Sequence, residues 1–119
     1  MNVFNEALIV NAVMNTTIDS PAVPIFNTYG YAVQAVFSGV PTGTLKLQAS
    51  ADPAVYAKTG TFTPANWTDI ANSSVPVSAA GVFIWNFNGA FYNYVRLVYT
   101  DASGGTSTAV LNVNINCKG

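Results

Sequence analysis

Histidine is absent from all 119 residues. That removes the usual general base near neutral pH, the commonest metal ligand, and any serine or cysteine nucleophile activated by an imidazole. The single cysteine, Cys117, rules out an intrachain disulfide and a thiolate metal cluster. It reads as a small buried hydrophobe or as a thiol at a frayed terminus, ahead of a disulfide between subunits. Cations are equally scarce: Lys46, Lys58, Arg96 and Lys118 are the whole set. Four scattered positive charges make no basic stripe for phosphates and no patch for anionic lipid. Neither a nucleic acid nor a membrane is an expected partner.

Charge of either sign is sparse, at 8% of residues with a formal net charge of −1, against roughly 25% in ordinary soluble domains. The surface is therefore polar mainly through neutral Asn, Ser and Thr. Such a surface suits a protein that packs against neighbours. The uncharged run over 20–44 is broken by Pro21, Pro24, Gly30, Gly39 and Pro41 and does not read as a membrane span. Residues 1–14 lack the basic start of a secretory signal, so no secretory signal is expected there.

Five carboxylates remain: Glu6, Asp19, Asp52, Asp69 and Asp101. Glycoside hydrolysis needs two of them flanking one bond. Here each stands alone at a turn or a strand edge. Asp52 precedes Pro53 and Asp101 opens a Gly-rich turn, so turn chemistry accounts for both. No calcium-loop spacing occurs, and Gly104-Gly105 is followed by neither a helix nor a GKS motif, which makes it a hairpin turn. The expectation is a protein without catalysis, cofactor or metal.

What the chain does contain is alternation. Half of its residues are hydrophobic, enough for one core in one domain over 1–119. Period-two patterns recur between turn residues. Leu45, Leu47 and Ala49 share one face of a strand, and Leu111, Val113 and Ile115 alternate with Asn112 and Asn114 in the last one. Residues 29–37 are apolar on both faces, with Gln34 the main polar exception, which places them inside a sheet or under a neighbouring subunit. The turn at 38–43 is expected to form a hairpin to the next strand. Residues 66–71, 74–78, 82–87 and 91–100 supply further strands. The first twenty-five residues hold two more, about 7–14 and 16–20, or an arm. The sum is an all-β, single-domain antiparallel β-sandwich of jelly-roll type with about eight strands.

Aromatic residues make up 13% of the chain. Trp67 and Trp85 are expected in the core. Tyr92 and Tyr94 are expected to share a face with Arg96, as a cation–π pair or as part of a protein interface. Tyr29 and Tyr31 join them as interface candidates, and so do Tyr56 and Phe62 in the segment 51–65, where the alternation lapses. That segment is either a surface excursion or a contact loop. Rings exposed together would instead make a carbohydrate site, so a glycan is the alternative partner.

Val33-Gln34-Ala35-Val36-Phe37, Gly43-Thr44-Leu45-Lys46-Leu47-Gln48-Ala49-Ser50, Trp67-Thr68-Asp69-Ile70, Trp85-Asn86 and Tyr94-Val95-Arg96-Leu97-Val98-Tyr99 follow one another in an order with a known parallel. Over 7–119 the chain resembles small β-sandwich structural proteins of tailed bacteriophages. The individual motifs are short, and their order and spacing carry the match. The resemblance implies a place on the virion as a capsid decoration protein, or in a head fibre or tail. It implies contacts with other virion proteins and self-association, with a trimer favoured, and it carries over no catalytic residue. The segment 51–65 is longer than the compact turn the family has there.

Overall fold

Apolar–polar alternation sets ten strands in the computed structural model, which describes residues 4–26, 28–53 and 64–118. They are β1 (Phe4–Val13), β2 (Ile18–Asp19), β3 (Val23–Pro24), β4 (Gly30–Ser38), β5 (Gly43–Ser50), β6 (Thr68–Asp69), β7 (Val75–Val77), β8 (Gly81–Asn88), β9 (Tyr94–Asp101) and β10 (Val110–Lys118). One sheet runs β1-β10-β4-β8. The other runs β2-β9-β5-β6, with β3 also on β9 and β7 also on β5. Every pairing is antiparallel.

The pairings nest. β1 lies on β10, β2 and β3 on β9, β4 on β8, and β5 on β6 and β7. A long double ribbon folded back across a core produces this order, which is the jelly-roll form of the sandwich. Counting β2 with β3 and β6 with β7 as interrupted strands leaves the eight expected from the sequence.

Two buried serines patch those interruptions. Leu47 and Leu97 face each other across β5 and β9, and each needs a partner on its other side. Ser20 Oγ accepts from Leu97 N at 2.9 Å, while Ser20 N donates to Leu97 O at 2.8 Å. Ser73 Oγ accepts from Leu47 N at 3.1 Å, and Ile70 N donates to Leu47 O at 2.9 Å. Hydroxyl oxygens thus stand in for strand carbonyls where the edge strands break off, and the buried backbone stays paired.

The turns at 38–43 and 101–105 are not hairpins. β4 and β5 lie in different sheets, as do β9 and β10, so both segments arch over the core. Turn residues record that the chain reverses, but not which strand its continuation will pair with. Gly39 takes φ +80°, and a Cβ there would lie 3.1 Å from Ala109 Cα, so the arch needs glycine twice over. Ser107 Oγ donates to Val40 O at 3.2 Å and Tyr99 Oη to Thr42 O at 3.0 Å, fastening it.

β4 lies inside its sheet, between β10 and β8. Tyr31, Val33, Ala35 and Phe37 point inward and are buried, with Ala32, Gln34 and Val36 on the outer side. Leu45, Leu47, Leu97, Tyr99, Leu111, Val113 and Ile115 fill the space between the sheets with almost no exposure. Burying each such aliphatic side chain contributes about 1.5–3 kcal/mol. Cys117 is buried among them as a free thiol. Trp85 is a core residue, as expected, with its Nε1 donating to Ser73 O at 2.8 Å.

Candidate interaction face

Three charged side chains gather on one side of the sandwich. On the outer face of the β9-β5 sheet, Lys46 Nζ meets Asp69 Oδ2 at 3.1 Å and Gln48 Nε2 donates to Asp69 Oδ1 at 2.8 Å. Arg96 Nε donates to Gln48 Oε1 at 2.9 Å, and its guanidinium lies 4.4 Å from the centre of the Trp67 ring. These groups satisfy one another across the strands, so this face is polar and closed.

The outer face of the β1-β10-β4-β8 sheet is different in kind. Cross-strand register sets it out in rows: Asn112, Val36 and Val82; Asn114, Gln34 and Ile84; Asn116, Ala32 and Asn86; Lys118, Gly30 and Asn88. Lys118 is the one charged side chain in these rows. Val82 is 58% and Ile84 56% exposed, with Val36, Val10 and Val13 exposed as well. Apart from Lys118, the face is neutral and made of carboxamides and branched aliphatic groups. At one end it dips into a groove of about 380 Å³ whose walls include Tyr29, Ile84, Asn86, Asn88, Asn116 and Lys118. Tyr29 is 69% exposed there.

The candidate residues separate into distinct places. Tyr31 is buried under its sheet, with its ring centre 5.4 Å from that of Phe87. Its hydroxyl lies 2.5 Å from that of Tyr92. Burial, reinforced by this shared hydrogen bond, pushes the Tyr31 phenol far above its ordinary value, and burial raises Tyr92 too. The pair closes one end of the core and offers little open surface.

Tyr94 does lie on the same side of β9 as Arg96, but it is covered. Phe26 packs edge-on against it at 5.9 Å, and its hydroxyl donates to Pro53 O at 3.3 Å. The link between β3 and β4 crosses over it, and sequence alternation carries no sign of that cover. Arg96 makes its cation–π contact with Trp67 and not with a tyrosine. Trp67 is accordingly no core residue: it is half-buried, with Nε1 donating to Pro64 O at 3.2 Å. Tyr56 and Phe62 lie outside the described residues, with most of the 51–65 segment. Of the seven candidates, Tyr29 stands on the neutral face. Val82, Ile84, Asn86 and Asn116 went unnoticed, although β8 is apolar at both parities through Val82-Phe83-Ile84-Trp85, the mark of a strand with large groups on both sides.

The carboxylates are held singly. Asn66 and Ala65 donate to Asp52, Gln48 and Lys46 to Asp69, and Ser103 and Gly105 to Asp101, and each carboxyl is lowered below its ordinary value by those hydrogen bonds. Asp101 lies opposite Gly43 and Asp69 opposite Gln48, a separation along β5 of about 17 Å at strand rise. Asp52 lies beyond the far end of β5. Among the described residues no three of His, Cys, Asp and Glu gather to hold a metal.

Known structures share this architecture. The chain superposes on the crystal structure of the SPBc2 prophage-derived protein YomS with a TM-score of 0.60, covering 98% of this chain and 95% of that one at 10% identity. The coat protein of Tobacco streak virus aligns with a TM-score of 0.45 at 12% identity, covering 99% of this chain and 84% of that one. No family model and no curated protein matches the sequence. The likeness to YomS is one of fold.

Proposed function

We propose that this chain is a structural protein of a bacteriophage virion, acting as a capsid decoration protein that binds the shell or another virion protein. It is made in the host cytoplasm, works without catalysis or cofactor, and associates with itself as well as with its partner. The observation that carries this reading is the neutral outer face of the β1-β10-β4-β8 sheet. A face of amides and aliphatic groups with one lysine gains little in solubility and loses little on burial, which is the balance of a protein–protein contact. The order of sequence motifs and a fold held in common with a prophage-derived protein support the same reading. The test is to add the purified chain to particles lacking it and image them by cryo-electron microscopy. Regular density on the shell supports decoration. Density confined to a fibre or tail moves the protein there, and no density on any particle overturns the reading.

A second reading has one observation in its favour. The groove joins an exposed tyrosine ring to the amides of Asn86, Asn88 and Asn116. A stacking surface with neutral donors and acceptors fits a saccharide. A glycan screen followed by Tyr29→Ala decides it. Binding lost with the ring supports a receptor-binding module, and a screen without a hit removes it.

A further inference from the structure

Open edges are the hazard of a sandwich, because each presents unpaired N–H and C=O groups to any passing strand. Nearly every edge here is blunted. β1 has register breaks between Ala7 and Ile9 and between Ile9 and Ala12, and Asn11 sits at φ 50°. β2, β3 and β6 have two residues each. β7 has three residues, with Pro76 in the middle.

β8 is the exception. It runs eight residues, contains neither proline nor charge, and pairs with β4 from Gly30–Asn88 to Phe37–Gly81 without a break. It ends its sheet, and its far side meets no strand among the described residues. Phe83 points to the core side and packs against Trp85 at 4.8 Å, yet remains 36% exposed. On the outer side Val82 and Ile84 are more exposed still.

We propose that β8 pairs antiparallel with β8 of a second copy, joining two four-stranded sheets into one continuous sheet about a twofold axis. A twofold perpendicular to the sheet keeps the outer faces together, so residues of equal parity oppose one another. With Ile84 on the axis, Val82 opposes Asn86, Phe83 opposes Trp85 and Gly81 opposes Phe87. The strand carries no charge, so self-pairing sets no like charges together. Phe83 gains the ring cover that a terminal strand lacks. The neutral outer faces become one doubled surface with a groove at each end. Pairing a strand edge with itself closes at two, which replaces the trimer expected from the sequence. The inference concerns the purified chain and stands apart from any place on a virion.

The test uses the full chain in solution. Sedimentation across a concentration series should show a monomer–dimer equilibrium, and Ile84→Lys should raise its dissociation constant by about tenfold or more, because like charges then face each other across the axis. A short bis-maleimide should join Ile84→Cys into a covalent dimer, while Val40→Cys, 71% exposed on the 38–43 arch, stays monomeric. Both sites are exposed, so unchanged circular dichroism will show that the variants fold. A chain that remains monomeric up to about 1 mM, a trimer, or a dimer indifferent to Ile84→Lys and joined no better through position 84 than through 40 overturns the proposal.

Discussion

Ser73 is fully buried, and its hydroxyl oxygen is the acceptor for Leu47 N, with its own proton directed to Ile70 O at 2.7 Å. Ser73→Ala strands the Leu47 amide in the core, and urea unfolding should show a loss of about 1–3 kcal/mol. Titration acts on other residues. Asp52, Asp69 and Asp101 have folded values below the ordinary 3.8. Their contribution is therefore present above pH 3.8 and is lost as pH falls through the lowered values. Cys117 works in the opposite sense. Burial, helped by the nearby Glu6 charge, raises its thiol from 9.0 to about 11. Its contribution is full below pH 9 and declines as pH rises through about 11, because the unfolded thiol ionises first. Thermal melts should show a plateau between these limits and a fall on each side. A Cys117→Ala variant should lose part of the alkaline fall, and an alkaline limb unchanged by it would assign that fall to the buried tyrosines.

Among the elements, the arch from β4 to β5 carries the chain from one sheet to the other. Gly43 enters β5 where a Cβ would lie 2.2 Å from Thr100 O and 2.8 Å from the Tyr99 ring. Gly43→Ala must therefore push two paired strands apart. Gly89, at φ +65° with nothing within 4 Å of a Cβ, is the control, and Gly89→Ala should cost about 1–2 kcal/mol from backbone strain alone. Calorimetry should rank Gly43→Ala well below Gly89→Ala in melting temperature, and equal values would show that β5 and β9 yield at that point. The arch was legible in the sequence as a turn and illegible as a sheet change. Gly39 and Pro41 mark a reversal equally well whether the next strand pairs with its predecessor or faces it across a core.

In the molecule as a whole, first and last strands are neighbours, and β10 is an interior strand between β1 and β4. Ending the chain after Ala109 removes a central strand with Leu111, Val113, Ile115 and Cys117 from the core. The truncated chain should lose the β-sheet circular dichroism signal and its dispersed amide spectrum altogether, and retention of a folded remainder would show the two sheets to be separable. Pairing between chain ends also slows folding, since loop closure precedes the contacts that reward it. Refolding should fall in the millisecond-to-second range or slower, as for other sandwiches of non-local topology.

Alternation by itself determined which side of β5 and of β10 is buried: Leu45 with Leu47, and Leu111 with Val113 and Ile115, could point only one way once a core existed. Composition by itself removed imidazole chemistry and an intrachain disulfide. Tertiary structure decided what local patterns leave open. It placed Tyr31 and Tyr92 against each other at the end of the core, laid Phe26 over Tyr94, and moved Trp67 out to Arg96 while keeping Trp85 inside. It also left β8 as the regular, uncharged edge beside a neutral face. The reason is the same in each case: periodicity states how a strand divides its faces, and only the pairing of distant strands states what lies on the other side.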